Sequence, residues 1–310
     1  MPIDATFRKR QITDLGLDSL QDGTTVVRTQ AVGIKTGEVR LSITAVNANG
    51  NVDSAFGGDG LMVVSGRVEG SATDNLGRIT YVADGLVQRR LYTGDPDPSF
   101  GGGGSVPLPD GFASTTTSIA LTNSGGVVAA DPDSGRFVRL TAAGLPDPTF
   151  GSGGTATIPL AAGNDLILRR TSSNALYFLR ELQLANPSAP STLGLGRLSP
   201  SGQSDPGFSG DGIATFGNAT PAGFAVDSME RALLPAGSQR RAMSIIRLDA
   251  AGGRDETLAP GGKARIRFPE RTAGASAVAA DSAAGIVVAG GAERRHGRGK
   301  VGLAIAYLRP

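Results

Sequence analysis

The 310-residue chain contains no cysteine and no tryptophan, and it has a single histidine. Without thiols it forms no disulfide, thiolate metal centre or iron–sulfur cluster, and it carries no cysteine nucleophile. Aromatic residues make up only 5% of the chain, which leaves little material for stacking on bases. No stretch approaches the roughly 20 apolar residues that cross a bilayer, and the first residues lack the apolar core of a signal peptide. A sustained 3.6-residue apolar period is missing as well, which argues against helices.

What is abundant is glycine, with 46 residues, and proline, with 18, set among short runs of Val, Ile, Leu and Ala. That is the composition of short strands joined by tight turns. A hydrophobic fraction of 39% supplies a core that needs no covalent staples. The net charge of +2 hides an asymmetry: from Arg231 onward there are 14 basic and 6 acidic residues, against 16 and 22 before it.

A short cluster that runs from an acid to an aromatic repeats along the chain. It stands at Asp4–Phe7, Asp53–Phe56, Asp97–Phe100, Asp147–Phe150 and Asp205–Phe208, and in degraded form at Asp255–Leu258. The steps are 49, 44, 50, 58 and 50 residues. Ahead of each cluster lies an alternating segment such as "RFVRLTAAG", and after most of them a glycine-rich turn and a further strand, as in "FGGDGLMVV". Paired apolar runs such as "SIALTNSGGVVAA" complete the unit. Four short strands per repeat of this length describe a propeller blade. Within the cluster, Asp hydrogen-bonds the backbone two residues on, proline presets φ, and Phe packs between blades.

The pattern Asp-x-x-Phe-Gly-x-x-Gly, preceded by Arg-Leu-x-x-x-Gly and followed by runs such as "IVVAG", resembles the delta-60 repeat of bacterial proteins, many of them exported. The resemblance covers nearly the whole chain in six imperfect copies and implies a β-propeller-like fold. It carries over no catalytic residue, because no activity is common to the family. Arg8 and Ser209 replace the glycine after Phe and Leu258 replaces Phe, so distorted turns are expected in the first, fourth and fifth copies.

The fold expected is therefore all-β: one domain over residues 1–310, a six-bladed β-propeller with four-stranded blades. The last strand "GLAIAYLRP" lacks a cluster and fourth strand behind it, whereas Asp4–Phe7 and "RKRQITDL" stand at the start. The N-terminal segment is thus expected to complete the C-terminal blade as its outer strand and close the ring.

Two kinds of site suggest themselves. If the loops between second and third strands share a face with those entering each blade, Arg240, Arg241, Arg271, Arg294, Arg295, His296, Arg298 and Lys300 crowd one rim. Such a field attracts polyanions, an anionic glycan among them, without sequence-specific nucleic-acid readout. The other is a set of carboxylates, Asp18, Asp74, Asp165, Asp227 and Asp281, each read onto an innermost strand and pointing at the channel. Similar acids in sugar-lactone hydrolases hold a divalent cation, and oxygen ligands favour Ca²⁺ or Mg²⁺. Turn capping accounts for the same residues more simply. "GDPDPSFGGGG" lacks the closing Glu of a calcium loop, and "FGGGG" leads into a strand and not into a helix that would cradle phosphate. The insertion Glu181–Thr192 lengthens the fourth repeat and suits a recognition loop.

Taken together, these features read as a non-catalytic binding or scaffold module, without a cofactor, that recognises a protein or glycan partner through one loop face. The alternative is a lactonase-like, metal-dependent hydrolase or lyase centred on the channel. A monomer is expected, with no transmembrane segment. The resemblance places it outside the cell, in the periplasm or at the envelope of a bacterium, its signal peptide already removed.

Overall fold

In a computed structural model, described for residues 10–33, 38–109, 112, 117–158, 166–171, 173–182, 192–217, 223–236, 242–267, 271–280, 285–294 and 302–308, the chain folds into antiparallel sheets. The third repeat shows how the sequence directs this. The runs "SIAL" and "VVAAD" form β9 (Ser118–Leu121) and β10 (Val127–Asp131), with register partners Leu121 and Val127 at the turn. Between them Thr122 Oγ1 accepts the Gly126 N–H at 2.8 Å, while Gly125 takes a left-handed φ of 82°. "RFVRL" forms β11 (Arg136–Leu140), and the cluster then leads to β12 (Thr155–Thr157) on its other side.

The same order repeats. The first sheet is β1 (Arg10–Ser19), β2 (Thr25–Gly33), β3 (Val39–Val46) and β4 (Leu61–Ser65). The second is β5 (Gly70–Thr73), β6 (Ile79–Ala83), β7 (Leu86–Arg90) and β8 (Ser105–Pro107). The fourth holds β13 (Leu166–Arg170), β14 (Leu176–Leu182), β15 (Thr192–Leu198) and β16 (Ile213–Gly217). The fifth holds β17 (Ala225–Val226), β18 (Ala232–Pro235), β19 (Ala242–Leu248) and β20 (Lys263–Arg267). The sixth, among the described residues, has three strands: β21 (Arg271–Ala280), β22 (Ile286–Arg294) and β23 (Gly302–Leu308).

One expectation is corrected here. Arg10–Ser19 is the first strand of the first sheet, in register with β2 from Arg10↔Gly33 to Ser19↔Thr25, and not an outer strand beside β23. Its alternating residues fit either place, and the reach of the turn at Leu20–Thr24 decides for the hairpin. The first cluster, Asp4–Phe7, lies outside the described residues.

The chain divides into two compact units, residues 1–131 with 137–155, and residues 132–136 with 156–310. In the first, Val26, Leu41, Ile43 and Phe56 pack against Ile79 and Tyr81 of the next sheet, and Val82, Val87 and Phe100 against Ile119, Val127 and Val138. In the second, Tyr177, Leu195 and Phe208 meet Leu234 and Ile246, while Leu233, Met243 and Ile245 meet Ala275, Ile286 and Val288. Each fully buried side chain of this size contributes about 1.5–3 kcal/mol.

The clusters are turns of one construction. Asp53, Asp97, Asp147, Asp205 and Asp255 each accept, through Oδ1, the N–H two residues on, at 2.9–3.0 Å. Phe56, Phe100, Phe150 and Phe208 are all buried. Ser209, where glycine is expected, adopts φ 56° beside values of 63°, 62° and 56° at Gly57, Gly101 and Gly151. The fourth turn is therefore undistorted. The fifth is altered: Gly212 N–H bonds the Phe208 carbonyl at 2.7 Å, but the corresponding Gly262 N–H bonds Ala259, one residue beyond Leu258, at 2.8 Å.

Candidate functional site

Two of the acids read as possible metal ligands, Asp74 and Asp227, are engaged by their own turns, and a third, Asp18, by an arginine of the neighbouring strand. In Asp74, Oδ1 accepts the N–H groups of Leu76 and Arg78, both at 3.0 Å, and Oδ2 accepts Arg78 Nε at 2.7 Å. Asp227 repeats this with Met229 and Arg231, at 2.9, 2.9 and 2.7 Å. Asp18 takes Arg28 Nε at 3.0 Å and Nη2 at 2.6 Å. A cation at Asp74 or Asp227 would have to displace a guanidinium or a turn. Asp165 and Asp281 lie outside the described residues. No group of three or more His, Asp or Glu suited to a metal stands together among the described residues.

The cluster acids have a second partner that sequence reading missed. The N–H groups of Asp97, Asp147, Asp205 and Asp255 bond the carbonyls of Arg89, Arg139, Arg197 and Arg247, eight residues earlier, at 2.9–3.0 Å. That backbone pairing brings each arginine Nε to the acid's Oδ2 at 2.7–2.8 Å. Three of the guanidinium carbons lie 4.5–5.1 Å from the centre of the cluster's Phe ring. Arg89 reaches on into the next repeat, donating to the carbonyls of Gly125 at 3.0 Å and Ala142 at 2.8 Å, and Arg197 donates to that of Ala250 at 2.6 Å. Burial alone would raise the Asp97 carboxyl, but the Ser99 hydrogen bonds and the Arg89 charge hold it below its ordinary range. Asp255 is lowered in the same way by Thr257 and Arg247. Asp147 is lowered chiefly by the Thr149 hydroxyl.

In the first repeat Ala45 stands where the arginine would be, and its carbonyl still accepts the Asp53 N–H at 2.9 Å. Tyr92 of the second repeat fills the gap: its hydroxyl donates to Asp53 Oδ2 at 2.7 Å, and its ring meets Phe56 edge-on at 5.0 Å. This bond lowers Asp53, while burial and the acid raise the Tyr92 hydroxyl. A related network joins the fourth and fifth sheets. Glu230 Oε2 accepts Tyr177 Oη at 3.1 Å, and Ser173 Oγ donates to Glu230 Oε1. Burial pushes the Tyr177 hydroxyl up to about 12, against the lowering effect of Arg197. Glu230 holds φ at 60°, a backbone position rare for a non-glycine residue.

Of the basic rim, two members are seen as backbone. Arg271 and Arg294 are direct register partners at the open end of the β21–β22 hairpin. Near that end Ala292 pairs with Gly302 of β23. Arg240, Arg241, Arg295, His296, Arg298 and Lys300 lie outside the described residues, as does most of the insertion Glu181–Thr192. No helix among the described residues is long and apolar enough to cross a membrane.

No family model matches the chain, and no curated protein is significantly similar to it. Solved structures are. A catalytically inactive virginiamycin B lyase from Staphylococcus aureus, with quinupristin, aligns at TM-score 0.51 and 12% identity over 94% of both chains. The β-propeller domain of the Trilobed protease from Pyrococcus furiosus aligns at 0.51 and 9%, covering 96% of this chain and 81% of that one. A neuraminidase-like protein of a flat-faced bat strain aligns at 0.51 and 12%, covering 96% and 88%. At such identities the likeness concerns architecture alone: the chain is an all-β protein of propeller fold, with six sheets among the described residues, one per repeat.

Proposed function

We propose that this chain is a non-catalytic binding or scaffold module, acting at the bacterial envelope or outside the cell on a protein or anionic glycan partner. The observation that carries the reading is the engagement of the acids. Asp18, Asp74 and Asp227, the described carboxylates best placed by sequence for metal-assisted chemistry, are each tied to an arginine. A general acid or base needs a free lone pair or proton aimed at substrate, and a metal ligand needs an unoccupied oxygen. Here both oxygens of Asp74 and Asp227 serve turns and arginines, and Asp18 Oδ2 holds Arg28. The regular recurrence of the repeat junctions supports a scaffold that presents loops.

The test is a titration of the purified chain with Ca²⁺ and with Mg²⁺ by calorimetry, run beside lactone hydrolysis and saturation binding to immobilised bacterial glycans. Saturable glycan or envelope-protein binding without turnover is the expected result. Lactone turnover that a chelator abolishes and Ca²⁺ or Mg²⁺ restores would replace this reading with the lactonase-like one.

A further inference from the structure

The outermost strand of the fifth sheet, β20, reads Lys-Ala-Arg-Ile-Arg. Successive side chains of a strand leave on opposite faces. Ala264 and Ile266 pack into the core shared with the sixth sheet, so Lys263, Arg265 and Arg267 leave on the other face. Arg265 and Arg267 are exposed and Lys263 is half-buried. At about 3.3 Å rise per residue the three cations form an even row with about 6.6 Å between neighbours.

Arg254 stands at the start of the row. Gly262, just ahead of Lys263, packs against the Arg254 Cβ, and the Arg254 guanidinium lies 5.2 Å from the centre of the Phe216 ring. At the other end Arg267 pairs with Ala242, and only 268–270 separate it from Arg271, the register partner of Arg294. None of Lys263, Arg265 and Arg267 forms an ion pair among the described residues. Asp255, in the turn before the strand, is committed to Arg247 at 2.7 Å.

We infer that β20, with Arg254, is a docking strip for a linear anionic polysaccharide laid along the outer edge of the fifth sheet. The inference rests on the binding-module reading and names its ligand class. Guanidinium groups pair in bidentate fashion with carboxylate and sulfate, and an evenly spaced row suits a polymer with evenly spaced charges. A nucleic acid would call for aromatic faces on which bases stack. Among the described residues, the aromatic ring beside the strip, Phe216, is 3% exposed and has Arg254 over it. A membrane surface would call for apolar side chains between the cations, and Ala264 and Ile266 point inward.

The full chain is assayed by fluorescence anisotropy with labelled alginate, whose charges are carboxylates, and with dextran sulfate, across a salt series. Saturable binding that weakens steeply with salt is expected, and the tighter of the two polymers identifies the anion recognised. Replacing the row together, Lys263→Gln, Arg265→Gln and Arg267→Gln, should lower affinity at least about tenfold at low salt and make the log–log salt slope shallower by roughly 2. The melting temperature should stay unchanged. A control removing equal charge, Arg8→Gln, Lys35→Gln and Arg67→Gln, should retain nearly full affinity. Equal losses in the two triple variants would reduce the effect to net charge and overturn the inference, as would tighter binding of oligo-dT than of either polysaccharide. Undiminished saturable glycan binding by the β20 variant would also overturn it while leaving the binding-module reading in place, whereas metal-dependent turnover would remove that reading itself.

Discussion

Arg89 Nε donates to Asp97 Oδ2 at 2.7 Å, with side-chain exposures of 1% and 3%. Eight residues separate the two in sequence, and a tight turn folds one back on the other. A charge pair so thoroughly removed from water is costly to break, because the survivor is left without compensation. Arg89→Met is therefore expected to destabilise the protein by about 3–5 kcal/mol. Arg139→Met leaves Asp147, whose side chain is 23% exposed, in reach of water, and should cost less than half as much. Urea denaturation of both variants checks this, and equal losses would mean that burial does not set the cost.

Acid should unfold the protein through the same carboxylates. Asp53, Asp97, Asp147 and Asp255 are all lowered in the folded state. A lowered acid contributes stability that is complete above its unfolded value, about 3.9, and is lost as pH falls through the folded value. The melting temperature should hold steady from neutrality down to about pH 5 and then drop steeply below about pH 4. A drop centred between pH 5 and 7 would point to other groups.

At the alkaline end the tyrosines govern. Tyr177 is pushed up to about 12, and Tyr92 is raised as well. An ordinary tyrosine ionises near pH 10, so the Tyr92 and Tyr177 hydroxyls should still be protonated at about pH 11, read as the phenolate absorbance that Tyr92→Phe and Tyr177→Phe fail to remove there. Because the folded values are raised, the associated stability is complete below about pH 10 and lost as pH climbs through the folded values. Four phenolates formed by about pH 10.5 without unfolding would contradict the burial of both hydroxyls.

The Tyr92–Asp53 bond is separable from the packing around it. Tyr92→Phe keeps the edge-on contact with Phe56 and removes only the hydroxyl that donates at 2.7 Å. Losing that hydrogen bond to the charged carboxylate should lower stability measurably. In a double-mutant cycle with Asp53→Asn, most of that loss should appear as coupling between the two positions. Independent, additive losses would show that the pair is not a functional stand-in for the missing arginine.

Much of this architecture was written locally. "SIALTNSGG" and its counterparts carry apolar runs around a turn, and the Asp of each cluster needs only the next two residues to form its turn, so strand order and turn chemistry were legible. Partnerships across distance were less so. Asp53 and Tyr92 lie 39 residues apart, and nothing in either stretch marks the other. The arginine partners of two acids in the candidate metal set were hidden for a related reason: "DNLGR" and "DSMER" look like spare carboxylates until the turn brings Arg78 and Arg231 onto them. Lys263, Arg265 and Arg267 registered only as net charge, because the face a strand residue takes depends on which neighbours are buried.

Two left-handed residues distinguish strain that is merely tolerated from strain that is put to use. Ser209 has φ 56° in a position where its counterparts are glycine, and its N–H bonds the Ala251 carbonyl at 2.7 Å. Its backbone supplies that bond, which glycine supplies equally well. Glu230 has φ 60°, but its carboxylate receives the hydroxyls of Ser173 and Tyr177 from the preceding sheet. A left-handed non-glycine residue costs about 1–2 kcal/mol, offset in part by the greater unfolded freedom of glycine. Ser209→Gly should thus stabilise the protein by up to about 1 kcal/mol. Glu230→Gly relieves the same strain yet leaves the Tyr177 hydroxyl without its carboxylate, at a cost of about 1–3 kcal/mol, so its net effect should be destabilising. Thermal melts of the two variants should move in opposite directions, and a stabilised Glu230→Gly would show that the carboxylate contributes nothing to joining the fourth and fifth sheets.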